Sequence, residues 1–311
     1  MPLPNSMPSG FLAWQDVRRI FVLTSGGLLA QFVPARASAC VTRILCRAYQ
    51  LLLGQTVRDL ERKIRKALPA DSRLDPRAIA EQHILMRLED IWGRLRGIRR
   101  FGWHPHIEWE GLERLDAPLR DGRGIILWSM RFSSATVLKQ GFYRQGLPFA
   151  HLSGVNHGSA TLTTLGLRVA APLYCRAENC YLKERIQIPV DESLNYVQRL
   201  RERLRSGNLV SIFGEHEGRQ SYEAHLLGTT IKLALGAPSL AWLENAALFT
   251  AAPIRVGPFR YRIVIDEAIP IDLAKPRREF AVQAAQEYAR RLEARVLQHP
   301  ADWQGWLYRE F

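Results

Sequence analysis

The run GIILWSM, residues 124–130, constrains this chain more than any other stretch. It is apolar without alternation, too short for a buried helix, and Gly122 and Gly124 bound it. Such a run is a strand covered on both faces, the pattern of a parallel sheet held between helices. The segments that follow agree. SATVLKQGFYRQG (134–146) reads as a helix closed by Gly146, and LPFAHLS (147–153) as the next strand. SLNYVQRLRERLRSG (193–207) reads as a helix closed by Gly207, and NLVSIFGEHEG (208–218) as a strand running into a polar loop. KLALGAPSLAWLENAA (232–247) reads as a helix interrupted near Gly236 and Pro238. LFTAAPIRV (248–256) and FRYRIVIDEAI (259–269) read as strands, and REFAVQAAQEYARRLEARVLQHP (278–300) as a long amphipathic helix. Residues 154–185 carry no clear period and are expected to be irregular. Alternating strands and helices imply right-handed crossovers and a sheet covered on both faces. The expected fold class is α/β, a mainly parallel mixed sheet flanked by helices, preceded by an N-terminal helical, membrane-facing portion.

That N-terminal portion is assigned to residues 1–105 and the α/β domain to 106–311. RDLERKIRKAL (58–68) places Leu60, Ile64 and Leu68 at four-residue spacing. DPRAIAEQHILMRLEDIWGRL (75–95) opens with Asp75 as N-cap and Pro76 in the first turn, and repeats Ile79, His83/Ile84, Met86/Leu88 and Ile91/Trp92 along one face. The apolar stretch IFVLTSGGLLAQFV (20–33) is shorter than the ~20 residues needed to span a bilayer. With ACVTRILCRAYQLLLG (39–54) it reads as an amphipathic hairpin lying in a membrane interface, the alternative being an ordinary core helix pair. Arg18, Arg19, Arg36, Arg43 and Arg47 flank the apolar pieces and favour the membrane surface.

The formal charge of +13 suits an anionic partner: phosphate head groups, anionic lipid or an acidic carrier protein. Nucleic acid is disfavoured, since no zinc-finger spacing and no aromatic RNA-binding signature occurs. The four cysteines, Cys40, Cys46, Cys175 and Cys180, lack disulfide-framework or metal-ligand spacing and read as reduced structural thiols. His104 and His106 flank a proline without metal-ligating companions and read as a surface turn. No metal site and no bound cofactor is expected.

Four further stretches carry a resemblance: IEWEGLERLDAPLRDGRGIIL (107–127), NLVSIFGEHEGRQSYEAHLLGTTIKLALGAPSLAW (208–242), APIRV with FRYRIVIDEAIPI, and the tail QHPADWQGWLYREF (298–311). In this order they resemble the bacterial lipid A biosynthesis (lauroyl/myristoyl) acyltransferase family of the lysophospholipid acyltransferase superfamily. The resemblance covers nearly the whole chain. It implies transfer of a fatty acyl group from acyl carrier protein or coenzyme A to a lipid or glycolipid acceptor. It also implies a place on the cytoplasmic face of the inner membrane, with membrane lipid and possible acyl carrier protein as partners.

The family's chemistry rests on a His followed, four residues between, by Asp or Glu. The imidazole takes the proton of an attacking hydroxyl, and the carboxylate orients it. Here those positions hold Arg131 and Thr136, with Ser133 and Ser134 between them. A guanidinium stays protonated and cannot be a base. Three accounts follow. In one, the fold persists without the chemistry and Arg131 contacts an anion. In another, a histidine at a strand's carboxyl end replaces the base. The candidates are His151, His157 and above all His216, flanked by Glu215 and Glu217. Adjacent residues on extended chain point to opposite sides, however, so Glu215 need not orient His216. In the third, Ser133 or Ser134 accepts the acyl group, although an N-cap role explains a serine there. Ser133, Ser134, Arg219 and Gly228 are the candidate substrate-binding residues. Arg199, Arg201, Arg203 and Arg205 form a basic helix that would bind phosphates or an acidic carrier, or be solvated and balanced by Glu202. Trp303, Trp306 and Tyr308 are expected to pack on the core, the alternative being a place at the membrane interface.

Overall fold

The computed structural model describes residues 17, 20, 22–52, 54–69, 71–97, 103–154, 163–189, 194–216, 218 and 220–308. The buried run at 124–130 becomes β2 (Ile125–Ser129), every residue of it buried. Its neighbours are β5 (Leu209–Phe213) and β8 (Ala247–Gly257), both parallel to it. The seven-stranded sheet has the order β1-β9-β8-β2-β5-β3-β4, with β1 (His106–Glu110), β3 (Ala150–Gly154), β4 (Glu184–Ile188) and β9 (Arg260–Ile265). Every pair is parallel except β8 with β9, which pair antiparallel. The α/β class with a mainly parallel mixed sheet is therefore observed.

Helices cover both faces. α1 (Gly27–Phe32), α2 (Ser38–Leu52), α3 (Gly54–Ala67) and α4 (Pro76–Gly97) precede the sheet. Asp75 caps α4 as its type dictates, accepting the Arg77 N–H at 2.9 Å. In α3, Leu60 and Ile64 share the core with Trp128, Val210 and Leu248 of the sheet. The opposite sheet face packs Ile125, Leu127, Leu209 and Phe249 against Val137, Leu138 and Phe142. Those last three belong to α6 (Ala135–Arg144), which follows α5 (Asp116–Arg120). α7 (Ala171–Asn179), α8 (Asn195–Arg205), α9 (Gly236–Glu244), α10 (Arg277–Gln298) and the short α11 (Gly305–Tyr308) complete the set.

Two expectations about secondary structure fail. Residues 154–185 are not wholly irregular, since α7 and the start of the edge strand β4 lie there. A five-residue edge strand with one buried side chain has almost no pattern to read. The helix expected over 232–247 begins only at Gly236, and Thr229–Ala234 is instead β7, paired antiparallel with β6 (Ser221–Leu226). Buried Ile231 and Leu233 alternate with exposed Thr230 and Lys232, a period of two rather than 3.6.

The arginines of α8 are not balanced by Glu202. Arg201 and Arg205 both bind Glu244, and Arg199 and Arg203 both bind Glu184. This basic face is thus tied to the neighbouring elements. Trp303 and Trp306 are fully buried, as expected.

On α1 and α2 the apolar residues do not all turn inward. Phe32 is 83% exposed and Leu51 86%, and Leu28, Ile44 and Leu45 are exposed beside Arg36, Arg43 and Arg47. Among the described residues no helix is long and apolar enough to cross a membrane.

Candidate functional site at the β2–α6 turn

Parallel pairing decides what meets residue 131. Ser129, the last residue of β2, is in register with Phe213, the last of β5. The chains leaving both strands therefore emerge side by side at their carboxyl ends, where open α/β sheets gather ligand groups. Arg131 and the pair Glu215–His216 lie 84 and 85 residues apart in sequence and touch here.

The contact differs from a relay. The Arg131 guanidinium lies over the Phe213 ring, 5.1 Å from its centroid, and meets His216 Nε2. A guanidinium carries only donors, so a hydrogen bond in this contact makes Nε2 the acceptor. Glu215 is buried, and both its oxygens are engaged elsewhere. Oε1 accepts the backbone N–H of Arg131 at 2.7 Å, and Oε2 accepts the Trp303 indole N–H at 2.8 Å. Glu215 thus serves the frame of the turn, and the doubt about its orienting His216 is answered by geometry.

Ser133 and Ser134 are fully buried. Ser134 occupies the N-cap of α6 with φ −117° and ψ 115°, but its side chain makes no capping bond. Ser133 sits at φ 34°, a left-handed conformation that L-residues adopt at a cost. Glycine escapes that cost. We expect Ser133→Gly to raise the free energy of unfolding in urea by about 1 kcal/mol. A loss of stability instead would show that the turn is unstrained.

Thr136 also finds a carboxylate. Its Oγ1 donates to Glu178 Oε1 at 3.2 Å. Glu178, on α7, is fully buried and pairs with Lys139 at 2.5 Å, Arg185 at 3.0 Å and Arg94 at 3.5 Å. Arg94 pairs in turn with Asp90 and lies over the Tyr174 ring. Burial pulls the Lys139 ammonium below the ordinary lysine range, and Glu178 opposes that pull. Sequence reasoning missed this cluster. The one available signal was a lysine set among Thr136, Val137, Leu138 and Gln140 in α6.

His151 is buried, its Nδ1 3.2 Å from Ser211 Oγ, which lies 3.0 Å from Ser129 Oγ. It stands edge-on to Phe213, beneath the Arg131 guanidinium. This is a buried core histidine rather than a base open to substrate. His157, Glu217 and Arg219 lie outside the described residues. Gly228 sits at the β6–β7 turn, where its N–H donates to Ala67 O at the end of α3; that contact is not with the 131 cluster.

The cysteines are free, and among the described residues no group of three or more His, Cys, Asp or Glu could hold a metal ion. Two surface cavities, about 560 Å³ beside Pro276 and Val282 and about 220 Å³ beside Ile254 and His299, do not include Arg131.

The arrangement can present a permanent cation beside an imidazole at the start of a helix whose amide ends favour negative charge. Glu215 does not orient His216 in it. No protein-family model matches the chain, and no curated protein matches it.

Proposed function

We propose that this chain is a membrane-surface protein of acyltransferase-like architecture whose β2–α6 turn binds an anionic group of a lipid or acyl donor without transferring the acyl chain. One observation carries this reading. The position where the resembled family keeps its base holds a guanidinium, and Glu215, the carboxylate that meets residue 131, is committed to Arg131 N–H and Trp303. Acyl transfer to a hydroxyl needs a group that can accept a proton, and Arg131 cannot. The exposed apolar residues of α1 and α2, with Arg36, Arg43 and Arg47 among them, support docking on an anionic bilayer. Such a location is consistent with the cytoplasmic face of an inner membrane.

A second reading is favoured by a separate observation: His216 touches residue 131, so an imidazole stands next to the family's base position. In that reading His216 takes the hydroxyl proton and Arg131 steadies the developing negative charge.

One experiment separates them. The protein is incubated with labelled acyl carrier protein thioester or acyl-coenzyme A and with vesicles containing phosphatidylglycerol. The expected result is no labelled lipid and clear co-sedimentation. Leu51→Glu should weaken co-sedimentation about tenfold or more, because burying one such side chain is worth roughly 1.5–3 kcal/mol. Labelled product that disappears in His216→Ala would replace the first reading with the second. Equal binding to neutral and anionic vesicles would remove the anion-binding claim.

A further inference from the structure

The backbone of residues 131–133 is held from outside its own strand. Phe132 forms an antiparallel bridge with Trp303. Gln304 N–H donates to Arg131 O at 2.8 Å, and Ser133 N–H donates to Asp302 O at 2.8 Å. The Gln304 side-chain amide donates to Ser133 O. Trp303 Nε1–H completes the set on Glu215 Oε2. Three consecutive residues of the site and the carboxylate beneath them are thus gripped by three consecutive residues near the C-terminus.

The grip is itself anchored. His83 of α4 meets Ala301 O at 2.8 Å, and the Arg255 N–H of β8 donates to Asp302 Oδ2 at 2.8 Å. Trp306 stands edge-on to Trp303 with centroids 4.7 Å apart and donates to Pro300 O. A side chain at Gly305 would come within 2.1 Å of the Trp303 ring, so the chain folds over its own indole only because residue 305 has none.

We infer that the segment Pro300–Tyr308 is a latch on the β2–α6 site, with Trp303 and Gln304 as positioning residues. They act through Glu215 and the 131–133 backbone. A core-filling role alone would need the indole ring, not its N–H. Here the N–H occupies the Glu215 oxygen that Arg131 N–H leaves open. While closed, the latch keeps Glu215 on the turn's frame, holds Ser133 in its left-handed conformation and sets where the guanidinium meets His216. This deepens the function proposed above, and only its lipid arm rests on that function.

The test compares Trp303→Phe, Glu215→Gln and the double variant in the full chain by hydrogen–deuterium exchange. Trp303→Phe keeps an aromatic ring and removes the donor. The expected result is about tenfold faster exchange at the Arg131 and Ser133 amides, the scale of one lost hydrogen bond to a charged acceptor. Amides of β8 and α10 should be unchanged. The double variant should exchange no faster there than Glu215→Gln, since both changes cut one interaction. Acceleration spread over the whole molecule, or effects that add, would reduce Trp303 to core filling and end the proposal. If Trp303→Phe fails to fold, Gln304→Ala removes only the amide on Ser133 O. Unchanged exchange at 131 and 133 in that variant overturns the latch. In the lipid arm, weaker binding of Trp303→Phe to phosphatidylglycerol vesicles than of wild type is expected, and equal binding refutes the coupling of latch to ligand. A wild type that binds no vesicle refutes the anion reading alone, and the exchange data then decide the latch.

Discussion

Glu178→Leu loses about 3–5 kcal/mol of stability in urea unfolding, the cost of leaving buried cations without their partner. The carboxylate is fully buried and is the point on which Thr136, Lys139, Arg94 and Arg185 converge from α6, α4 and β4. Lys139 is itself almost completely buried, so removal of Glu178 strands an ammonium in a low-dielectric interior. The double variant Glu178→Leu with Lys139→Met should recover part of that loss, because it removes the buried ammonium while Arg94 and Arg185 still lack the Glu178 carboxylate. A loss under about 1 kcal/mol for the single variant would mean that water reaches the cluster. The cluster also fixes the first turns of α6, so Glu178→Leu should weaken whatever binds at the β2–α6 turn.

The second large effect is a pair of opposed pH dependences at the C-terminal latch. Burial lowers the His83 imidazole from its ordinary 6.5 to about 4. Burial raises the Asp302 carboxyl from 3.8 to about 6, against the pull of the Arg255 N–H and guanidinium. The native state favours neutral His83, so its contribution is present above pH 6.5 and is lost as pH falls towards 4. The native state also favours protonated Asp302, so that contribution is present below pH 3.8 and is lost as pH rises through 6. At 1.36 kcal/mol per unit each amounts to about 3 kcal/mol, with opposite slopes over nearly the same window. Wild type should therefore change little in stability between pH 4 and 6.5 on account of this pair.

Separating the two groups reveals each slope. Asp302→Asn keeps an acceptor for the Arg255 N–H, and its stability should fall by about 3 kcal/mol from pH 6.5 to 4. His83→Asn keeps a donor for Ala301 O, and its stability should fall by a similar amount as pH rises over that range. Glu287, held near 2 by its bonds to Arg290 and Arg291, loses its contribution mainly below this window. Urea unfolding at pH 4, 5, 6 and 7 reads all three profiles. Parallel profiles for wild type and both variants would rule out these groups as the titrating pair.

Much of the scaffold was legible because its signals are local. The unbroken apolar run at 125–128 read as a strand covered on both faces, and Asp75 before Pro76 announced the start of α4. Leu60 and Ile64 recur at the spacing of one helix face and are buried. The signal failed where an element is short or exposed. Edge strand β4 buries one side chain, and in β7 a mixed apolar stretch ran straight into the helix that begins at Gly236.

The site divides along the same line. Sequence by itself determined that residues 131 and 136 carry no base and no acid, a matter of side-chain chemistry that no fold can change. It also singled out His216 and Glu215 as the polar pair worth locating. Only the tertiary structure decided what that pair does. Strand register brings Glu215 to Arg131 across 84 residues, and Trp303 to Glu215 across 88. The same kind of long-range packing gives Thr136 a carboxylate from Glu178, 42 residues away. No local period encodes such meetings, because they depend on which strands pair and which tail folds back over them.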